Sequence, residues 1–350
     1  MSYEVTIAIP VYNVEKYVER SLLSALNQSF ESIEYLIIDD KGTDKSIEIV
    51  KGVIKKHPRG EHVRIVDHVV NKGTGATKNS AIKEAKGRYL FFMDSDDTIH
   101  PKCISKLYDI AEKYQVEIVA SSHDTCDERG KIICLNRQKQ HFVEGESLID
   151  YFGNKIFLVY TWNKLYNLKY LRDNNIRCIP HHLCEDVFFT FQIICTCKSF
   201  YIYNGVTYHY LQNPNSLMGN QKNGFTEKLS VMYVEAIVEK CKYIKNISDK
   251  DSLSILCDSI VKEIKFLRNN IVSSSLIDNN KKKELINSLY ELLPYVLEYG
   301  SFFKQTNVPK KNCVYWVKKI RRRLIICYLN LLRLLTYQLF TRLLVNLKKL

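Results

Sequence analysis

An almost unbroken apolar run, Val5-Thr6-Ile7-Ala8-Ile9-Pro10, is followed by apolar residues at helical spacing from Val14 to Asn27 and then by a second run, Tyr35-Leu36-Ile37-Ile38. Short continuous apolar runs around an amphipathic stretch predict strand, helix, strand, with both faces of a mostly parallel sheet covered. Val63 to Val66 reads as a third strand, Asn71 to Asn79 as a Gly- and Lys-containing loop, Ser80 to Lys86 as a helix, and Tyr89 to Met93 as a fourth strand. Farther on, Val187 to Phe191 begins a helix, and Phe225 to Leu297 reads as helices with a polar turn at Asp278-Asn279-Asn280. No chemical motif lies in that helical region. Ligands of such sheets bind beyond the carboxyl ends of the strands, so strand ends are where chemistry is sought.

Two strand ends carry acidic clusters, Asp39-Asp40 and Asp94-Ser95-Asp96-Asp97. Three carboxylates in four residues repel one another unless a cation is present, and an oxygen-preferring divalent ion, Mg²⁺ or Mn²⁺, would hold them ionised. The same residues also suit an acidic turn capping a helix that begins near Pro101. The Asn71 to Asn79 segment is open to two readings, a phosphate contact and an ordinary strand-to-helix turn. It lacks the Gly-Lys-Ser/Thr ending of a Walker A loop and the glycine spacing of a dinucleotide fingerprint, which excludes both.

Ile9-Pro10-Val11-Tyr12-Asn13, Ile37-Ile38-Asp39-Asp40-Lys41-Gly42-Thr43-Asp44, Asn71-Lys72-Gly73, Phe92-Met93-Asp94-Ser95-Asp96-Asp97 and Cys184-Glu185-Asp186-Val187-Phe188-Phe189 resemble, in order and spacing, the family 2 glycosyltransferases of the GT-A fold. The resemblance covers about residues 1 to 220, and the segment Tyr160 to Tyr166 points toward bacterial enzymes that build surface polysaccharides. It implies an α/β fold with a Rossmann-like, mostly parallel sheet flanked by helices, a nucleotide-diphosphate-sugar donor (usually a UDP-sugar), a divalent metal (Mn²⁺ or Mg²⁺), and inversion at the anomeric carbon.

The resemblance also implies site residues. Pro10, Tyr12 and Asp40 match positions that hold the base and ribose, with Asp40 the expected uracil partner and Asp39 its neighbour. Asn71, Gly73 and Asp94 fall on the nucleotide-sugar side, and Lys78 stands where many relatives carry an Arg near the phosphates. Asp96 and Asp97 match the metal and ribose end of the acidic motif. Asp186 matches the catalytic base, while Trp162, Asn163 and Glu185 fall on the acceptor and sugar side. A carboxylate is wanted at Asp186 because an acceptor hydroxyl is a poor nucleophile until its proton is taken. Glu185-Asp186 also suits a plain helix start, where carboxylates are favoured.

Three departures from the family pattern stand out. Lys41-Gly42 replaces a Gly-Ser pair, Leu211 stands where Arg is common, and Pro180-His181-His182-Leu183 replaces a Gly-containing loop. The two histidines are expected to be exposed loop residues, lacking ligand-spaced partners.

The net charge of +13 is concentrated at one end: residues 309–350 hold eleven Lys or Arg and no Asp or Glu, leaving +2 on the rest. Helical spacing there puts Val317, Ile320, Leu324, Cys327, Tyr328 and Leu331 on one side, with Lys319, Arg322, Arg323 and Arg333 largely on the other. This is the pattern of a basic helix lying in an anionic membrane surface, and Arg333 and Arg342 argue against a span; a helix packed on the catalytic domain or a helical partner, and nucleic-acid binding, are the other readings of the same segment. The expected organisation is a catalytic domain over 1–220, a helical extension over 221–308 packed on it, and the basic helix over 309–350.

The eleven cysteines, an odd number without zinc spacing, fit reduced thiols. Ser2 to Asn13 is broken by Glu4 and Pro10 and does not read as a signal peptide. The expected location is cytoplasmic, peripheral on the inner face of the cell membrane, with a saccharide or lipid-linked acceptor. No nucleic-acid motif is present, and oligomeric state is not encoded in these motifs. Two other functions fit parts of the pattern: a catalytically silent membrane-bound scaffold, and a sugar nucleotidyltransferase. The second is disfavoured by the absence of an N-terminal Gly-rich nucleotide loop.

Overall fold

The computed structural model describes residues 3–144, 148–149, 159–182, 184–212 and 225–300, and for residues 294, 295 and 297–300 only the backbone. The basic segment over 309–350 lies outside the described residues, as do Leu183 and Asn213 to Ser216 of the closing loop.

The first half alternates strand and helix: β1 (Tyr3–Val11), α1 (Val18–Leu26), β2 (Ile33–Asp39), α2 (Ser46–Lys56), β3 (Val63–Asp67), α3 (Gly73–Glu84) and β4 (Gly87–Phe92). Next come β5 (Thr98–Ile99), α4 (Cys103–Tyr114), β6 (Ile118–Cys126), β7 (Ile132–Asn136), β8 (His141–Glu144) and β9 (Lys164–Asn167). The remaining elements are α5 (Leu168–Asp173), α6 (Glu185–Thr196), β10 (Ser199–Leu211), α7 (Glu227–Tyr243), α8 (Lys250–Ser273) and α9 (Asn279–Gly300).

The strands form one ten-stranded sheet in the order β3-β2-β1-β4-β9-β6-β10-β5, with β7 added to β6 and β8 to β10. β1, β2, β3 and β4 are mutually parallel, β9 runs antiparallel to both its neighbours, and β6 and β10 are parallel again. This is the expected α/β architecture, mostly parallel and covered by helices. Because Val11 pairs with Asp39 and Ala8 with Phe92, the ends of β1, β2 and β4 bring both acidic clusters to one rim.

The core follows from strand alternation. Val5, Ile7 and Ile9 face one side with Val18, Leu22 and Leu26 of α1 and Ile104 and Leu107 of α4. Truncating a fully buried residue such as Leu22 to Ala should cost about 2–5 kcal/mol. α7 packs against α6, and α8 and α9 pack on α7, so residues up to Gly300 form one compact unit.

Two helix boundaries differ from the sequence reading. α1 starts at Val18 because the carbonyl of Val14 accepts from the N–H groups of both Tyr17 and Val18, closing a turn first. α3 starts at Gly73 rather than Ser80, so the expected Gly- and Lys-rich loop is mostly helix. Its glycines answer a packing demand: a Cβ on Gly75 would sit 2.1 Å from the carbonyl oxygen of Ile179. Tertiary packing outweighed the low helix propensity of glycine there.

Candidate active site

At the end of β2 the buried Asp40 carboxylate organises the rim. Its Oδ1 accepts from Lys72 N at 2.9 Å and lies 2.7 Å from His68 Nδ1, while Oδ2 accepts from Gly73 N at 2.8 Å and Asn71 Nδ2 at 3.1 Å. A carboxylate offers about four lone-pair sites, and all are filled. In this structure Asp40, Asn71 and Gly73 satisfy one another and fix the entry into α3. Gly73, at φ +78°, is suited to that turn because a Cβ would also press within 3.2 Å of His181 Cα.

Asp39 lies beside this cage. Its Oδ1 accepts from Lys41 N at 2.9 Å, and Lys41 Nζ is 3.8 Å from Asp39 and 2.5 Å from Asp67, so the extra cation is neutralised locally. Tyr12, 48% exposed just past β1, offers a ring face at the same rim, and Pro10 is half-buried beneath it.

Beyond β4 the acidic motif divides. Asp97 is fully buried; its Oδ2 accepts from the Tyr208 hydroxyl at 2.7 Å and its Oδ1 from Leu211 N at 2.7 Å. Burial, then Asp96 and Asp94, raises its pKa well above the ordinary carboxylate value. Asp97 thus ties the motif to β10 in this structure. Leu211 contributes its backbone N–H to that tie. Asp94 and Asp96 are half-buried at the rim. Burial pushes the Asp94 carboxyl up to about 6, opposed by Lys78 and reinforced by Asp96, Glu185 and Asp186. Arg20 of α1 also reaches this turn and donates to the Asp96 carbonyl at 3.1 Å.

Across the rim, Glu185 and Asp186 open α6 as expected. Lys78 Nζ donates to Glu185 Oε1 at 2.7 Å, both residues being buried. Burial works against the Lys78 ammonium, but Glu185 and Asp94 outweigh it and hold its pKa above the usual lysine value. Lys78 is thereby tied to the first turn of α6. Asp186 is half-buried, and burial, then Glu185, pushes its carboxyl up to about 6 against the pull of Lys78.

The segment leading to these residues is fastened on two sides. Asn79 donates to the Cys178 carbonyl at 3.0 Å and accepts from its N–H at 2.8 Å, and Ile179 and Glu185 press on Gly75. On the other side His182 Nε2 lies 2.7 Å from Glu235 of α7. His181 is exposed as expected, but His182 is buried, because α7 covers it.

Trp162 and Asn163 stand on the same side but are occupied within the protein. Trp162 stacks on Tyr160 at 3.8 Å and on Tyr208 at 4.6 Å. Buried Asn163 donates to the carbonyls of Ser121 and Ser122, and its Oδ1 accepts from Ser121 and Thr207. Sequence reasoning passed over Tyr208, His68, Asn79 and Lys164. Lys164, fully buried, donates to the Tyr160 carbonyl; burial drives its pKa well below the ordinary value, with Asp186 pulling the other way. A lysine inside the apolar run at 164–166 was the signal available for it.

The carboxylates at the rim are hard oxygen donors, chemistry that suits Mg²⁺ or Mn²⁺. Among the described residues no group of three or more His, Cys, Asp or Glu side chains forms a ready cation nest. The protein would therefore offer Asp96 and Asp94, leaving other positions to diphosphate oxygens and water, as is usual for Mg²⁺.

A mixed α/β sheet with acidic strand ends facing a carboxylate-headed helix defines a nucleotide-sugar transferase fold of the GT-A type. Residues 6–174 match the family model described as glycosyl transferase family 2, and the chain belongs to that family. It is 32% identical over 213 residues to the poly(ribitol-phosphate) beta-glucosyltransferase of Bacillus spizizenii, covering 59% of this chain and 32% of the relative. It is 33% identical over 177 residues to an uncharacterized glycosyltransferase of Haemophilus influenzae, covering 49% of this chain and 67% of that one. The chain thus spans about a third of the length of the Bacillus relative. Among solved structures, S. aureus TarS 1-349 in complex with UDP-GlcNAc superposes with a TM-score of 0.67 at 19% identity, covering 85% of this chain and 88% of that one. The Pyrobaculum calidifontis mannosyltransferase PcManGT, in complex with GDP-Man and Mn²⁺, gives 0.51 at 11% identity, covering 91% of this chain and 81% of that one. At these identities the likeness is one of fold.

Proposed function

We propose that this chain transfers a sugar, with inversion, from a nucleotide-diphosphate-sugar, in first place a UDP-sugar, to a hydroxyl of a saccharide or lipid-linked acceptor in bacterial surface-polysaccharide synthesis. The observation that carries this reading is Asp186. It stands at the first turn of α6, half-exposed at the rim where β1, β2 and β4 end, and electrostatically linked to Asp94 across it.

Tyr12 and Asp39 are the groups left to meet base and ribose, since Asp40 is spent on the α3 entry. Asp94 faces the sugar and diphosphate. Asp186 takes the proton of the acceptor hydroxyl as that oxygen bonds to the anomeric carbon; the bond from this carbon to the diphosphate oxygen breaks, and its electron pair leaves with the nucleotide. A divalent cation held by Asp96 with Asp94 would neutralise charge on the departing diphosphate. Lys78 fixes Glu185, and so the helix turn that carries Asp186, at a set distance from α3.

UDP, GDP, CDP and dTDP are to be titrated by calorimetry with and without Mn²⁺. Metal-dependent binding of UDP, with turnover abolished and UDP affinity kept in Asp186→Asn, is the expected result. Binding of none of the four by folded protein would refute the reading and favour a silent scaffold.

A further inference from the structure

We propose that a groove between α4 and the outer half of β10 is a second saccharide site, taking a phosphate- or carboxylate-bearing stretch of glycan. The acceptor chain of the transfer reaction is the natural source of such a segment, so its use rests on the proposed function; its existence as a binding site does not.

The groove encloses about 260 Å³. One wall is α4, where Lys106, Asp109 and Lys113 follow the spacing that puts residues on one helix face, with Ile110 as the floor. The opposite wall is β10, where Tyr201 and Tyr203 alternate to the same face of the strand. Tyr203 is aimed by a local irregularity: the β10–β6 register shifts between Tyr203 and Val206, and a Cβ on Gly205 would lie 2.3 Å from the Tyr203 ring. A bulge re-aims a side chain in this way, and glycine leaves room for it. Tyr114 closes the end, its ring centre 4.8 Å from that of Tyr201 in a tilted pair, and Gln140 completes the lining.

The lining has the components of sugar recognition. Fixed aromatic rings offer flat apolar faces, and a carboxylate, an amide and phenolic hydroxyls offer partners for sugar hydroxyls. Two ammonium groups add selectivity for anions. Lys106 Nζ lies 5.9 Å from the Tyr203 ring centre and Lys113 Nζ 5.0 Å from that of Tyr114, and among the described residues neither is ion-paired with a carboxylate. Asp109, exposed between them, is likewise without an ion pair among the described residues. Unpaired charges flanking fixed rings are available to a ligand. Five residues of strand, about 17 Å at roughly 3.3 Å per residue, separate Tyr203 from Tyr208, which touches Asp97. A short oligomer spans that distance, so one chain could occupy groove and rim together.

The test is calorimetric titration of the full chain, without nucleotide, with a ribitol-phosphate oligomer, an oligogalacturonate and neutral maltohexaose. At least one anionic oligomer should bind wild type and Asp186→Asn alike, more tightly than maltohexaose. The exposed double substitution Lys106→Gln/Lys113→Gln should weaken it about tenfold, the effect of two exposed ion pairs of about 0.7 kcal/mol each. Unchanged affinity in the double variant, or no binding of either anionic oligomer to wild type, overturns the proposal. UDP titration of the same proteins separates the two ideas. If wild type binds the oligomer but not UDP, the groove stands and the transferase reading falls; if it binds UDP alone, the reverse holds.

Discussion

Replacing Lys78 by Met removes one member of a buried ion pair and leaves the other in place. Glu185 then keeps a carboxylate with a side chain only 10% exposed, no longer facing an ammonium at 2.7 Å. Breaking a buried pair in this manner costs about 3–5 kcal/mol, because the remaining charge is desolvated and uncompensated. Urea denaturation near neutral pH should show a loss of that size. Lys78→Met/Glu185→Leu, which removes both charges and fills the space, should recover all but about 1–2 kcal/mol of it.

The sign of the pH response separates the two variants. In the single variant Glu185 prefers its protonated form when folded, so the native state binds more protons than the unfolded one and stability falls as pH rises past the ordinary glutamate value. The same substitution removes the attraction that lowers the Asp186 pKa, so the activity limb proposed to follow Asp186 should move to higher pH than in wild type. In the double variant the loss of Glu185 repulsion offsets the loss of Lys78 attraction, and the limb should return toward the wild-type position. A single variant that loses less than about 1 kcal/mol, the value of an exposed pair, would refute the reasoning, as would single and double variants of equal stability.

If Asp186 is the base, as proposed, wild-type kcat/KM should rise as pH passes about 6, where its carboxyl ionises; Asp186→Asn should remove this limb and lower turnover about 10²–10⁴-fold. Asp40→Ala strands four donors at the α3 entry and should cost about 2–4 kcal/mol, with weaker UDP binding, as read by thermal shift and calorimetry. Gly75→Ala places a methyl 2.1 Å from the Ile179 carbonyl oxygen and should cost about 1–3 kcal/mol, with turnover falling more than UDP affinity. Removing residues 309–350, with their eleven basic side chains, should abolish binding to anionic vesicles in a flotation assay while leaving UDP titration unchanged; retained flotation would refute the anchor.

The apolar runs at Val5–Pro10 and Tyr35–Ile38 announced β1 and β2 because strands buried on both faces leave no other pattern, and the sheet type followed from the helix between them. Motif order located the rim and placed Asp94, Asp96 and Asp186 upon it. Linear sequence did not tell which carboxylate faces out. Asp40 and Asp97 sit in motifs as strongly acidic as those of their neighbours, yet each is turned inward by a distant partner, His68 in one case and Tyr208 in the other. His182 was misjudged for the same reason, since its cover comes from Glu235, 53 residues away. The start of α3 was missed because glycine is a poor helix former, and nothing near Gly75 in sequence announces the Ile179 carbonyl pressed against it.

The fastening of residues 178–185 to α3 bears on how such enzymes could be recombined. Exchanging the first four strands with those of a relative, to change donor choice, would seem to leave the base helix untouched. Here the exchanged piece carries Gly73, Gly75, Lys78 and Asn79, four positions against which the segment before Asp186 is seated. A chimera whose incoming α3 lacks them would inherit the proposed donor side and the proposed base set to different origins. The natural cut for transplanting donor specificity therefore falls after α6, not after β4.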